Sequence, residues 1–233
     1  MIDRIGSLKS LGLAAALFIG VSAGAANAAT LLTNGSFEDP TASNPFSTIP
    51  SVASLPGWDI ELGSIDLIGN YWQHADGLQS IDMNGAPGNS PATISQTINN
   101  LINGATYYLS FYLAGNPDGA PTVKKLTAML DNGIFGSTGT SLFGATFDTT
   151  GKTKLSMGWQ QFYQTFTYTG ITGGSLKLSF VGDGDGTPYG PALDDVSLGA
   201  VPVPAALPLF GTALGAMALL RFRRKRGAAS FTA

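Results

Sequence analysis

The 233-residue chain contains no cysteine and a single histidine, His74. The lack of cysteine excludes disulfides, a thiol nucleophile and thiolate metal ligands. With one histidine, a zinc site built from several histidines is excluded, and a serine–histidine–aspartate triad is disfavoured. Thiol redox chemistry and the most familiar hydrolytic centres are therefore poor explanations of this protein.

Charge is also scarce, because only 12% of the residues are Asp, Glu, Lys or Arg, and residues 29–200 contain no arginine. Five of the twelve basic residues lie between Arg221 and Arg226, and two more lie near the N-terminus. Residues 29–200 therefore carry five lysines against fourteen carboxylates, a net charge of −9. Binding to nucleic acid requires clustered cations, so we expect no nucleic acid partner. The excess of carboxylates favours solubility or divalent cations.

The first 28 residues have the pattern of an export signal. Arg4 and Lys9 give a basic start, Leu11 to Val21 is an apolar run, and small residues end the segment at Ala28. This order predicts a signal peptide over residues 1–28, removed after Ala28. Residues 29–200 are then expected to form one exported domain, since their number suits a single core.

The C-terminal segment, residues 201–226, combines three features in a fixed order. A proline motif at 201–204 is followed by the uncharged residues 205–220 and by a basic cluster at 221–226. A membrane helix needs about 20 apolar residues, so residues 205–220 are predicted to be a marginal transmembrane helix. The basic cluster is expected to stay in the cytoplasm.

This tail resembles the bacterial PEP-CTERM sorting signals, in particular the VPLPA-type variant. The residues that carry the resemblance are Val201, Pro202, Pro204, Arg223 and Arg224. In that family the tail is recognised by an exosortase, a membrane cysteine transpeptidase that passes the exported protein to the cell surface. The resemblance implies an exosortase partner, membrane contact before processing, and a final location at the envelope or in the extracellular matrix. A plain single-pass anchor is the alternative.

Residues 29–200 show alternation of apolar and polar residues with almost no helical periodicity. Trp58, Ile60 and Leu62, for example, alternate with Asp59 and Glu61. The pattern predicts nine strands between glycine-rich turns, at 58–62, 65–68, 79–83, 93–98, 107–113, 125–130, 161–168, 176–180 and 195–198. We therefore predict an all-β chain folded as a jelly-roll sandwich. For residues 131–154 a long loop, a covering hairpin and an irregular edge stay open.

The first and last segments of this domain, residues 31–40 and 191–198, resemble the terminal strands of galactose-binding-like jelly rolls. In such domains the termini lie side by side and often hold one structural calcium. Carried over residue by residue, the resemblance implies Glu38 and Asp194 as calcium ligands, with Asp39 or Asp195 as substitutes. Solvated carboxylates at the edge of the sheet are the alternative.

A longer resemblance extends over nearly the whole domain. The segments 55–58, 63–72, 76–85, 93–96, 104–119 and 190–191 are similar to the bacterial choice-of-anchor C domain, which is related to a plant cell-wall-associated family of undefined biochemical role. The family name refers to variable C-terminal anchors. The resemblance implies a galactose-binding-like fold and a surface location, and it leaves the activity open.

Tyr71, Trp72, His74, Asp76 and Gln79 place aromatic rings beside hydrogen-bonding groups. Sugar binding uses this combination, since a flat ring stacks on CH groups while polar neighbours recognise hydroxyls. We therefore predict a polysaccharide-binding site at these residues. If Tyr71 and Trp72 lie in a strand, one of them should point outward.

Catalysis is a weaker hypothesis than binding. Asp66, Asp76 and Asp82 have the chemistry of a glycosidase pair, but nothing in their spacing brings two of them together. We therefore expect a non-catalytic exported protein that binds extracellular polysaccharide. A self-associating matrix or coat protein is the first alternative, and a glycan-cleaving enzyme is the second.

Overall fold

In the computed structural model, the alternating segments form twelve strands in two antiparallel sheets. The structure describes residues 29–86, 91–131, 140–183 and 186–201, together with Met217. The strands are β1 Phe46–Pro50, β2 Ser54–Leu55, β3 Trp58–Leu62, β4 Ser64–Ile68, β5 Ser80–Asp82, β6 Thr93–Leu101, β7 Thr106–Gly115, β8 Val123–Asp131, β9 Thr140–Asp148, β10 Gln160–Thr167, β11 Gly174–Gly182 and β12 Pro191–Ala200.

The first sheet has the order β1-β4-β5-β12-β7-β10, and the second has the order β2-β3-β6-β11-β8-β9. The last strand, β12, lies between β5 and β7 and pairs antiparallel with both. Strands distant in sequence thus become neighbours, as in other two-sheet sandwiches. The predicted all-β sandwich is confirmed within the described residues.

The core lies between the two sheets and follows directly from the alternation. In β7, Leu109, Phe111 and Leu113 are fully buried, and the residues between them point to the other side of the sheet. Phe111 meets Phe180 of β11 edge to face, with ring centroids 5.1 Å apart. Each such buried side chain contributes about 1.5–3 kcal/mol to stability, so the inward faces hold the sheets together.

Trp58 belongs to this core, as its alternation with Ile60 predicts. Its ring contacts those of Phe37 and Phe180, and its Nε1 donates to the carbonyl of Asn34 at 3.0 Å. The indole N–H therefore keeps a partner despite its burial, as buried tryptophans normally do.

All nine predicted strands occur, and three further strands do not follow from the pattern. β1 and β2 are short and contain few apolar residues, while β9 lies within the glycine-, serine- and threonine-rich stretch. β9 pairs with β8 at the edge of the second sheet, so the irregular-edge alternative was nearest to the structure. An edge strand pairs with only one neighbouring strand. Its alternation of apolar and polar residues is correspondingly weak.

Residues 31–40 were predicted to form the first strand, and this prediction is wrong. Asn34 and Phe37 have positive φ angles of 53° and 56°, which interrupt an extended chain. The segment still lies beside β12, because Leu31 N donates to Leu198 O at 2.6 Å and Val196 N donates to Gly35 O at 2.9 Å. The side-by-side arrangement of the two ends of the domain is therefore confirmed.

The predicted terminal segments fall largely outside the described residues. This applies to the signal peptide at 1–28, the transmembrane helix at 205–220, and Pro202, Pro204, Arg223 and Arg224 of the sorting motif. Val201 is described, and its N–H donates to Thr106 O at 2.9 Å. Within the described part of the chain, no helix has the length and apolar character needed to cross a membrane.

Candidate functional site

The predicted binding residues lie in the loop between β4 and β5, which crosses the outer side of the first sheet. Two carboxylates hold this loop. Asp194 Oδ2 accepts the N–H groups of Ala75 and Asp76 at 2.9 and 3.0 Å. Glu38 Oε1 accepts those of Leu78 and Gln79 at 2.8 and 2.9 Å. Glu38, near the start of the domain sequence, and Asp194, near its end, therefore both fix the position of this loop.

The aromatic pair Tyr71 and Trp72 does not form an open platform. Trp72 is only 4% exposed, and its Nε1 donates to Ser80 Oγ at 2.8 Å. Tyr71 is half-buried, and its hydroxyl donates to Asp118 at 2.5 Å. Lys154 Nζ lies 3.7 Å from the Tyr71 ring centroid. The hydrogen bond to Asp118 raises the pKa of Tyr71. The polar atoms of both side chains are therefore paired within the protein.

The three polar residues of the predicted site, His74, Asp76 and Gln79, have different environments in the structure. Gln79 is buried, where its amide donates to Phe37 O and Pro40 O at 2.7 and 3.0 Å. Its Oε1 accepts the N–H of Ala42. Gln79 therefore orders the N-terminal segment, and it is not free to bind a ligand.

His74 is half-buried, with Nδ1 3.2 Å from Ser80 Oγ, and its burial lowers its pKa. It lines a surface cleft of about 350 Å³ together with Glu38 and Gln79. Asp76 is exposed and accepts a hydrogen bond from Ser36 at 3.1 Å. The five predicted residues are therefore neighbours in one loop but do not converge on a single ligand.

Glu38 and Asp194, the predicted calcium ligands, do not fit that role. Three of their four carboxylate oxygens accept backbone N–H groups, since Asp194 Oδ1 also accepts from Asp195 at 2.7 Å. Calcium requires six to eight oxygen ligands, whereas these oxygens face hydrogen-bond donors. In the described residues no three acidic or histidine side chains are grouped as metal ligands, with the substitutes Asp39 and Asp195 included.

Asp194 is fully buried, and its environment is unusual for a carboxylate. Burial raises its pKa to about 7, while the N–H groups of Asp76, Asp195 and Ala75 oppose this shift. The loss of hydration thus exceeds the stabilisation by three donors. Burial also raises the pKa of Asp195, with a further contribution from the charge of Asp76.

The structure reveals an outward-facing aromatic surface, exposed at Tyr163 and half-buried at Tyr108 and Tyr112, that the sequence prediction missed. Tyr108 and Tyr112 point outward from β7, opposite to the buried side chains of that strand. Tyr163 of β10 pairs with Ser110 and therefore shares their side of the sheet. We call these three tyrosines the tyrosine face. The sequence does contain a pattern that indicates this surface, because the residues that alternate with the buried side chains of β7 are tyrosine and serine.

The geometry of the tyrosine face suits a flat ligand. The rings of Tyr108 and Tyr163 stack with centroids 5.8 Å apart and an interplanar angle of 10°. Tyr163 is 60% exposed. The Tyr108 hydroxyl lies 3.3 Å from Ser197 Oγ, and its ring lies over Gly199, where a Cβ would be 3.0 Å from it. A glycine at position 199 therefore lets the ring lie close to the sheet.

The candidate catalytic carboxylates are also placed by the structure. Asp66 of β4 and Asp82 of β5 are direct partners across the two strands. Asp76 lies apart from them, beside Ser36. The strand register thus brings together two residues that are sixteen positions apart in the sequence.

The fold and these surfaces define a jelly-roll β-sandwich domain with an aromatic outer face. Residues 30–199 match the family model described as "Protein of unknown function (DUF642)", and the chain belongs to this family. Halomucin of Haloquadratum walsbyi is 35% identical over 93 residues, which are 37% of this chain. The chain spans about 1% of the length of halomucin.

Several solved structures are similar to this chain at low identity. A chain described as "CBM4 structure and function" is 19% identical, with 72% of this chain and 99% of that chain covered and a TM-score of 0.39. The CBM22-1 xylan-binding domain of Paenibacillus barcinonensis Xyn10C is 15% identical, with 70% and 99% covered and a TM-score of 0.43. An arabinose-bound α-L-arabinofuranosidase is 15% identical, with 74% and 26% covered and a TM-score of 0.47.

Proposed function

We propose that this protein is an exported, non-catalytic, polysaccharide-binding protein of the cell surface or extracellular matrix. The tyrosine face is the observation that carries the proposal. Its exposed ring, Tyr163, stacks on Tyr108 and so presents a wide apolar surface without the entropy cost of ordering a single mobile ring. The CH-rich face of a sugar ring is the matching ligand surface.

Polar groups around the tyrosine face support the same class of ligand. Ser110 is paired with Tyr163 on one side and with Ser197 on the other, and the exposed Gln161 is paired with Tyr112. Hydroxyl and amide groups of this kind donate to and accept from sugar hydroxyls. An extended glycan lying across β7 and β10 would contact both kinds of group.

The absence of catalysis is part of the proposal and is supported by the geometry of the carboxylates. A glycosidase places two carboxyl groups about 5–10 Å apart on either side of the bond that it cleaves. Asp66 and Asp82 are direct partners in adjacent strands, are 5% and 1% exposed, and line the same small cavity of about 110 Å³. They therefore lie side by side and do not flank a cleft in which a glycosidic bond would lie between them.

Export and surface sorting complete the proposal and rest on the two ends of the sequence. The basic start, apolar run and small-residue end of residues 1–28 support secretion. The motif at Val201, Pro202 and Pro204 and the cluster with Arg223 and Arg224 support processing by an exosortase. The choice-of-anchor C resemblance supports the same location.

The binding proposal is tested with the purified protein on a panel of immobilised extracellular polysaccharides. We expect retention on at least one polysaccharide, and we expect Tyr163→Ala to weaken it about tenfold, which corresponds to ~1.4 kcal/mol. Ile171→Ala removes another exposed apolar side chain, 79% exposed, from the loop between β10 and β11 outside the tyrosine face and should leave retention unchanged.

Two outcomes would count against polysaccharide binding through this face. If both variants bind like the unchanged protein, the tyrosine face is not the binding surface. If no polysaccharide retains the protein and it instead assembles with increasing concentration, the self-associating matrix role replaces the proposal.

A further inference from the structure

A second depression on the outer side of the first sheet is separate from the tyrosine face. It is the cavity of about 110 Å³ lined by the carboxylates of Asp66 and Asp82 and by four aromatic residues, Phe46, Tyr71, Trp72 and Tyr189. Leu67 and Ile81, the chain neighbours of the two acidic residues, pair with each other across β4 and β5 and are in the core. The acidic side chains therefore point away from the core and into this cavity.

The two carboxylates lie side by side in a largely dehydrated environment. Asp66 and Asp82 are 5% and 1% exposed, and they pair directly between β4 and β5. Antiparallel partners have Cα atoms about 4.5–5.5 Å apart. Negative charges on two such neighbouring side chains repel strongly where water is excluded. Burial raises the pKa of both groups, that of Asp82 to about 7 with a further contribution from the charge of Asp66.

The rest of the lining does not supply a positive charge. None of the described lining residues is a lysine or arginine. Lys154, the cation beside Tyr71, forms an ion pair with Asp118 at 2.9 Å. Lys124 Nζ donates to the carbonyl groups of Gly119 and Tyr189. The cavity thus combines two acidic groups with aromatic walls.

A metal ion suits this cavity poorly. Both oxygens of Asp82 already accept hydrogen bonds, from Asn84 N, Gly190 N and Asn116 Nδ2 at 2.8–3.0 Å. Asp66 accepts from Thr48 at 2.6 Å. Calcium requires many oxygen ligands in its first shell, whereas most of this wall is aromatic or aliphatic carbon. A cation with a shell of C–H groups matches carbon walls better.

We infer that this cavity binds a small organic ammonium group. Aromatic faces attract such cations through their quadrupole, and the carboxylates of Asp66 and Asp82 supply the opposite charge. The volume of about 110 Å³ suits a small head group. Quaternary head groups such as that of choline, and the primary ammonium group of an amino sugar, share this chemistry.

Calorimetric titration of the purified protein at pH 8 tests the inference with matched ligands. Choline and its uncharged carbon isostere 3,3-dimethylbutan-1-ol have the same shape, so their difference isolates the charge. We expect saturable binding of choline and at least tenfold weaker binding of the isostere. Comparison of glucosamine with N-acetylglucosamine then shows whether an amino sugar is accepted as well.

Variants assign the binding to the cavity. Asp66→Asn keeps the shape and removes one charge, and it should weaken choline binding at least tenfold. Asp183→Asn removes the same charge from an exposed carboxylate outside the cavity and should have no effect. Tyr189→Leu removes one aromatic wall and should also weaken binding, which keeps the inference testable if Asp66→Asn unfolds.

Three results would overturn the inference: equal affinities for choline and its isostere, no saturable binding of choline or glucosamine, or displacement of choline by an equal concentration of calcium. Polysaccharide retention is measured separately. Tyr163→Ala should leave choline binding unchanged, so the failure of one proposal does not imply the failure of the other.

Discussion

Single buried carboxylates give this domain a specific response to pH. Asp82 and Asp194 both have pKa values raised to about 7 in the folded protein, mainly by burial, from an ordinary value of 3.8. Between pH 3.8 and about pH 7, Asp82 and Asp194 keep their protons in the folded chain and lose them in the unfolded chain. The free energy of unfolding therefore decreases as the pH rises through this window.

At the residue scale we predict a lower thermal midpoint at pH 8 than at pH 5. Each of the two groups can change the free energy of unfolding by up to roughly 3 kcal/mol between pH 5 and pH 8, because about two units of its titration window lie in this range, at about 1.4 kcal/mol per unit. Thermal denaturation followed by circular dichroism measures the difference. In Asp194→Asn the amide does not titrate, so the difference should shrink.

The exposed carboxylate of Asp183 provides the control for this experiment, because Asp183→Asn removes an acidic group that is paired with Lys125 at the surface. Its pH dependence should equal that of the unchanged protein. A midpoint that rises from pH 5 to pH 8 would contradict the assignment of the two buried groups.

At the scale of elements, the loop between β4 and β5 has two functions in the architecture. It connects neighbouring strands of the first sheet, and its residues Tyr71 and Trp72 line the cavity beside Asp66 and Asp82. Its position depends on Glu38 and Asp194, which are 156 positions apart in the sequence and reach the loop from the two ends of the domain. Gly77 has a φ of +57°, and a Cβ there would collide with the Glu38 carboxylate.

For this element we predict that Glu38→Ala lowers the thermal midpoint, because the N–H groups of Leu78 and Gln79 lose their acceptor. A hydrogen bond to a charged group contributes about 1.5–3 kcal/mol, and the exposure of Glu38 places the loss near the lower end. A chelator should leave the midpoint of the unchanged protein unaffected. Thermal denaturation with and without the chelator distinguishes Glu38 as a hydrogen-bond acceptor from Glu38 as a calcium ligand.

The neighbouring Asp39 supplies the matched control, since its carboxylate accepts no hydrogen bond from the described residues. Asp39→Ala should denature at the midpoint of the unchanged protein. If the chelator lowers the midpoint and Glu38→Ala removes that effect, Glu38 is a calcium ligand after all and the hydrogen-bond explanation fails.

At the scale of the whole molecule, charge and location are linked. The net charge of −9 over residues 29–200 disfavours nucleic acid as a partner and agrees with the proposed location outside the cell. The five cations at Arg221–Arg226 belong to a separate segment with its own proposed use in sorting. The proposed binding surfaces and the proposed sorting signal therefore lie in different parts of the chain.

We predict that the protein recovered from the surface of its own cells begins at Ala29. It should also lack Arg223 and Arg224, because an exosortase would remove the basic end. Intact-mass measurement detects both changes. Replacing Pro202 and Pro204 by alanine should keep the basic end attached, whereas the same measurement on a Val203→Ala variant should match the unchanged protein.

A recovered protein that retains the basic end in every case would favour the plain membrane anchor over sorting. The first 28 residues would then still be absent. The two ends are thus tested independently by one measurement.

The sequence by itself determined the all-β class and nine strands, because alternation depends on which residues each strand must bury. Tyr107, Leu109, Phe111 and Leu113 had to face inward, and Trp58 had to join the core. It also determined the acidic, cysteine-free character of the domain. Because each strand buries one face, its own residues must alternate between apolar and polar, and this pattern can be seen within the strand's sequence.

Only the tertiary structure decided which residues meet. The pairing of β7 with β10 placed Tyr163 on Tyr108, and the pairing of β4 with β5 placed Asp66 beside Asp82. The same packing enclosed Trp72 and Gln79, which the sequence had suggested for an open site. Strand order and register arise from contacts distant along the chain, and spacing within one segment carries no record of them.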